Sequence, residues 1–246
     1  MLPAYFGDSE RALFGLCVPA AGERQRRSAL ICAPLLDEYF WAHRTCRMLG
    51  DRLAKQGIDV LRFDYYGSGD SGGESNDTRL DGAVSDTLIA LQELRDFSQN
   101  RRTTLIGMRL GAVVAARATL RSNNVDRLVL WDPVCDGREW VADLEARANV
   151  AGDQRMDLNG LPVSAELRRE AAAIDLDAFA TSASEVLLIV SHVKREHHQL
   201  RETLEGRGVR VSFSAMENPP FWSEQGDLGL GAVPADIVEH VAGWAQ

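Results

Sequence analysis

The chain has 246 residues, 45% hydrophobic and 26% charged, which suits one α/β domain, or one domain with an insertion, around a sizeable core. Its net charge of −9 argues against a nucleic-acid or anionic-membrane surface as the main business. Cys17, Cys32, Cys46 and Cys135 are scattered, without metal spacing or a disulfide framework, and no cofactor motif is visible. The first residues, MLPAYFGDSERALFG, lack a basic region followed by an apolar core. The apolar runs are too short to span a bilayer, so a cytoplasmic protein is expected.

Ala4–Phe6 and Leu13–Val18 are β-like pieces around Gly7-Asp8-Ser9-Glu10, a hairpin signal. Ser28–Leu36 is a buried strand. Trp41–Lys55 follows as a helix with Ala42, Cys46, Leu49 and Leu53 on one face, stopping at Gly57. Asp59–Phe63 is the next strand and runs into the turn-rich DYYGSGDSGG. Leu80, Val84, Leu88, Leu91 and Leu94 mark a second helix. Thr103–Ile106 is a strand and Leu110–Leu120 a helix. Leu128–Trp131, Val186–Val190 and the alternating Val209, Val211 and Phe213 are further strands. Ile237, Val241 and Trp244 mark a closing helix.

Strand and helix alternate from residue 28 onward, which predicts a mostly parallel sheet covered by helices on both faces. Gly137–Ser184 breaks that rhythm, being far longer than one crossover needs. It reads as a small helical cap, with a turn at Asn159-Gly160-Leu161-Pro162, inserted over the carboxyl edge of the sheet. The core would then be residues 1–136 and 185–246, and the cap 137–184. Trp140, Val141 and Leu144 could form an apolar stripe on that cap, packed onto the domain or facing a partner.

The stretch LIGMRLGA, residues 105–112, sits between a strand and a helix. Its Gly107-x-Arg109-x-Gly111 spacing is that of a nucleophile elbow, which holds its central residue in a strained turn above the sheet edge. With Asp64-Tyr65-Tyr66-Gly67-Ser68-Gly69-Asp70-Ser71 after the strand at 59–63, and LVLWDP at 128–133, the chain resembles the α/β-hydrolase superfamily, in its serine aminopeptidase-like branch. More narrowly, APLLDE, RTCRML, DYYGSGDSGG, GMRLGA and LWDPV resemble the second type of hydrolase associated with the exosortase A system, a group that also carries arginine at the elbow. The resemblance implies an α/β-hydrolase fold with a cap after its sixth strand, and a place in a biosynthetic or envelope-polysaccharide pathway.

The chemistry of such a site is nonetheless incomplete. Guanidinium stays protonated, offers no acceptor and is no nucleophile near neutral pH. The loop after the last strand, SAMENPPFWSEQGDLG, holds Pro219, Pro220, Phe221 and Trp222 but no histidine. The loop expected to hold the acid, SHVKREHH, has Glu196 as its only carboxylate. Two of the three triad roles are vacant.

What remains is an anion-binding arrangement. The N–H of Leu110 heads a helix, and the Pro34-Leu35-Leu36 loop would supply a second N–H, as an oxyanion hole needs. A buried Arg109 must find a carboxylate or a ligand anion. Asp37, Glu38 and Asp132 are the internal choices, Asp132 foremost. Arg109 is then either an ion pair plugging an old active site, or the receiver of a ligand's carboxylate, phosphate or sulfate. The candidate ligand-binding residues are Arg109, Leu110, Leu35, Leu36, Glu38, Asp132 and Trp222.

The expected function is a non-catalytic binder of a small acyl or anionic ligand, or of a protein partner. The alternative is a rebuilt hydrolase or acyl transferase using Cys135 as thiolate or His192 to activate water. Their plain roles are an inert thiol and a rim residue. His197 and His198 read as a solvated helix start, and His240 as surface. Ser68 and Ser71 belong to a chain reversal whose backbone Asp64 and Asp70 would hydrogen-bond.

Overall fold

Two short strands open the chain. β1 (Leu2–Phe6) and β2 (Leu13–Val18) pair antiparallel, Phe6 opposite Leu13. Gly7 turns the chain at φ +88°, and Asp8 Oδ1 accepts from the N–H groups of Glu10 and Arg11 at 3.1 and 2.7 Å. The computed structural model describes residues 1–150, 156–158, 160–223 and 233–246.

β3 (Ser28–Cys32) is shorter than expected and is followed by α1 (Asp37–Lys55). The helix begins four residues before Trp41, because its first turn is carried by Asp37 and Glu38. Carboxylates suit a helix N-terminus, but they add nothing to an apolar stripe, so periodicity did not find this turn. Gly57, at φ +85°, ends the unit; a Cβ there would lie 2.0 Å from the Glu23 carbonyl oxygen.

β4 (Asp59–Phe63), α2 (Leu80–Ser98), β5 (Thr103–Met108), α3 (Leu110–Thr119) and β6 (Val125–Trp131) follow as expected, within a few residues. After the insertion come β10 (Glu185–Val190), α6 (Arg195–Gly206), β11 (Arg210–Ala215) and α7 (Ala235–Trp244). The sheet order is β1-β2-β4-β3-β5-β6-β10-β11, parallel from β4 to β11, with β2 antiparallel to β4.

The pleat divides the apolar residues between two cores. Leu30, Leu105, Leu128, Leu130 and Leu188 face the side covered by α2, α3 and α6. Ile31, Ile106, Val129, Trp131 and Ile189 face α1 and α7. Burial on both faces explains why these strands read as unbroken apolar runs.

The insertion between β6 and β10 is not all-helical. It holds α4 (Gly137–Arg147) and α5 (Ala165–Ala172), but also β7 (Asn149–Val150), β8 (Met156–Leu158) and β9 (Leu161–Val163) in a three-stranded antiparallel sheet. Strands this short carry too few residues to announce a period of two. Gly160, at φ +95°, joins β8 to β9, and Asp157 Oδ1 accepts its N–H at 2.6 Å. Asn159 of the expected turn lies outside the described residues, while Leu161 and Pro162 belong to a strand. Trp140 and Leu144 are buried and Val141 half-buried, all packed onto the main core.

The joint between β5 and α3 is unusually close. A Cβ on Gly107 would meet Gly111 O at 2.4 Å and Ala112 Cα at 2.5 Å. One on Gly111 would meet Ala33 O at 2.3 Å and Cys32 O at 2.4 Å. These are backbone atoms of α3 and of the end of β3, so they cannot step aside as a side chain would. Gly111→Ala is therefore expected to cost about 3 kcal/mol in a urea titration, whereas Gly206→Ala, whose Cβ meets nothing within 4 Å, serves as the unaffected control.

Candidate functional site

Arg109 sits between β5 and α3 at φ 55°, ψ −124°, a conformation costly for any residue with a Cβ. Its N–H donates to the Trp131 carbonyl at 3.0 Å. Leu36, at the head of α1, repeats this geometry at φ 57°, ψ −138°. Both strained residues stand at the carboxyl ends of neighbouring strands, β5 and β3.

The guanidinium is held from several sides. Nε donates to Glu38 Oε2 at 3.3 Å and Nη2 to Glu38 Oε1 at 3.2 Å. Nη1 donates to the Asp132 carbonyl at 3.2 Å. The Arg109 side chain is 18% exposed and that of Glu38 5%. Trp140 of the insertion donates Nε1–H to Glu38 Oε1 at 3.0 Å. Trp222 lies flat against the charge, its ring centroid 4.4 Å from Arg109 Cζ, a cation–π contact. Phe221 is fully buried and anchors that ring's segment against Trp131, centroids 4.8 Å apart.

The expected partner Asp132 is corrected to Glu38. The Asp132 carboxylate turns away and accepts from the Ser191 N–H and Oγ–H, each at 2.7 Å. Burial raises its pKa despite those bonds and the charge of Arg109. Asp37 is bonded by Arg147 instead. Glu38 was named from sequence, but its role depends on the early start of α1.

Arg109, Asp132, Cys135, His192 and Trp222 all line one cavity of about 310 Å³. The side chains of Leu35 and Leu110 are buried in the core, and Leu36 lines a second cavity of about 510 Å³. No residue lines both. Glu38 stands at the partition: its partners Arg109 and Trp140 line the smaller cavity, and its chain neighbours Leu36 and Tyr39 the larger.

The smaller cavity is acidic. Asp132, Asp136, Glu139, Asp143 and Glu196 line it against the two cations Arg109 and Lys194. Lys194 Nζ is taken by Glu139 at 3.0 Å and Glu196 at 3.6 Å. Among the described residues, a ligand anion would find no lysine or arginine there without a carboxylate partner. The Cys135 thiol is pushed up to about 12, by burial first and then by Glu196, with Arg109 and Lys194 opposing. No hydrogen bond joins it to His192, which is exposed at the rim.

His197 corrects the reading of a solvated helix start. It is buried, and its Nδ1 accepts the Lys194 N–H at 3.1 Å. His198 is exposed against Phe213, and His240 is exposed with Nε2 2.9 Å from Ser214 Oγ. In the glycine-rich turn, Asp64 Oδ2 accepts the Asp70 N–H at 2.9 Å. Ser71 Oγ donates to the Asp64 carbonyl at 2.6 Å and Ser68 Oγ to that of Tyr65 at 2.8 Å. Among the described residues, no three His, Cys, Asp or Glu side chains are grouped to hold a metal, and no helix is long and apolar enough to cross a membrane.

The comparisons bear on this geometry. The model of the family described as serine aminopeptidase, S33, matches residues 41–156, which include the elbow. Esterase PF2001 of Pyrococcus furiosus superposes with a TM-score of 0.68 at 17% identity, covering 99% of this chain and 89% of that one. Est1E of Butyrivibrio proteoclasticus, solved with ferulic acid bound, gives 0.66 at 15% identity, covering 98% and 96%. A putative hydrolase from Agrobacterium vitis S4 gives 0.60 at 16%, covering 99% and 96%.

The chain has the α/β-hydrolase fold. No curated protein is a significant match. Within this α/β-hydrolase fold, Arg109 occupies the elbow, and the segment after β11 presents Trp222 to it through the described residues.

Two measurements test the site's energetics. Glu38→Gln leaves the guanidinium without its counter-charge and is expected to lower unfolding stability by about 3–5 kcal/mol. A loss below about 1 kcal/mol would mark the pair as a surface-type bridge. Burial lowers the pKa of His197 below its ordinary 6.5. The unfolded chain then binds the proton more readily, so stability is lost as pH falls below about 6.5. Urea midpoints from pH 8 to pH 5.5 should show this loss, and His197→Asn, which keeps a capping oxygen, should flatten it.

Proposed function

We propose that this α/β-hydrolase-fold protein is non-catalytic and binds a small ligand or partner, its nucleophile position closed by an internal ion pair. The carrying observation is the two-point contact of Arg109 with Glu38, reinforced by Trp140 and capped by Trp222. A serine-type attack needs an oxygen at position 109 and an imidazole beside it. Here that space is filled by a permanent cation, a carboxylate and an indole.

The same contact favours the plug over an anion receiver. Glu38 already supplies the counter-charge, and the neighbouring cavity carries an excess of carboxylates. The rebuilt-enzyme alternative is not favoured: Cys135 is buried with its pKa pushed up to about 12, far from the thiolate that thiol nucleophiles use. The likeness to exosortase-associated hydrolases adds a biosynthetic setting, and rests on the quoted stretches alone.

Two experiments test the reading together. The protein should take up no stoichiometric label from a fluorophosphonate probe, and should show no turnover of p-nitrophenyl esters or acyl thioesters. Arg109→Ser should restore neither, since no base faces the new hydroxyl. Stoichiometric labelling of the wild type, or turnover abolished by Cys135→Ala, would overturn it.

A further inference from the structure

The larger cavity, about 510 Å³, is chemically unlike the acidic one. α1 contributes Tyr39, Phe40 and His43, at i, i+1 and i+4. Leu36 and Leu161 add aliphatic surface, and the turn at 67–73 adds backbone at Gly67, Gly69 and Gly73. Among the described residues, Glu74 is the one charged side chain on its lining, and no lysine or arginine lines it. The volume falls within the range of small-molecule sites.

Three features go beyond what folding requires. Phe40 is 71% exposed on the cavity's rim, a large ring left in water. Tyr39 is fixed by a hydrogen bond from its hydroxyl to Asp64 Oδ1, so one aromatic wall is already ordered. Thr78 lines the cavity, and its hydrogen bonds are made by its backbone N–H and carbonyl, so no carbonyl among the described residues takes its hydroxyl proton. Ser68 and Ser71 line the same space, but their hydroxyl protons are committed to backbone carbonyls.

We propose that this cavity binds a neutral small molecule with an aromatic or alkyl body and one polar oxygen, which pairs with the Thr78 hydroxyl. A carboxylate or phosphate ligand is disfavoured because Glu74, the one charge among the described lining residues, is negative. The ring of Phe40 closes over the apolar body at the entrance. The inference goes beyond the non-catalytic reading. Reversible binding decides it, whereas covalent labelling and turnover decide the other, so either can fail alone.

The test uses the full chain and three probes: 1-naphthol, naphthalene and naphthalene-1-sulfonate, titrated by calorimetry and by amide chemical-shift perturbation. We expect saturable one-to-one binding of 1-naphthol with shifts at residues 36–43 and 67–78. The sulfonate should bind at least tenfold more weakly. Thr78→Val should weaken 1-naphthol about fivefold, the loss of one neutral hydrogen bond, and leave naphthalene unchanged. Phe40→Ala, at an exposed position, should weaken both, with Tm confirming that each variant is folded. No saturable binding, sulfonate binding as tight as naphthol, or affinity indifferent to both substitutions would overturn the proposal.

Discussion

The site depends on one buried ion pair. The sheet-to-helix bend at Arg109 thrusts a side chain over the carboxyl edge whatever that side chain is, because the bend follows from Gly107 and Gly111 packing against bare backbone. Once the residue is arginine, its charge must be answered within reach. Glu38 answers it from the first turn of α1, Asp132 lends a carbonyl, and two tryptophans close the remaining sides. The strain of the bend and the cost of burying charge are carried by the same few contacts.

That arrangement changes what the fold can do with its cleft. The elbow, the loop after β3 and the insertion meet at the carboxyl edge of the sheet. Here Glu38 and Trp140 meet across it, and two cavities of opposite character lie on either side. The acidic one borders the elbow at Arg109, and the apolar one borders Leu36 of the loop after β3 and the glycine-rich turn.

Much of the fold was legible because its signals are local. Strands buried on both faces read as apolar runs, helices as leucines at helical spacing, and the elbow as two glycines around a bend. The insertion was misread because three strands of two or three residues have no period to detect. The start of α1 was missed because acidic residues at a helix head leave no apolar stripe. The charged neighbours of His197 predict a solvated residue, yet it turns inward to cap its own helix.

Sequence alone determined that position 109 carries a permanent cation between two glycines at a strand-to-helix bend. Those are facts of residue identity and local spacing. Tertiary structure decided which carboxylate answers that cation. Of Asp37, Glu38 and Asp132 the sequence favours Asp132, and only the assembled chain shows Asp37 turned to Arg147, Asp132 to Ser191 and Glu38 to Arg109. The reason is physical: a charge pair forms by distance and direction in space, and residues 38 and 109 come together only after β3 and β5 have paired and α1 has folded back over the sheet.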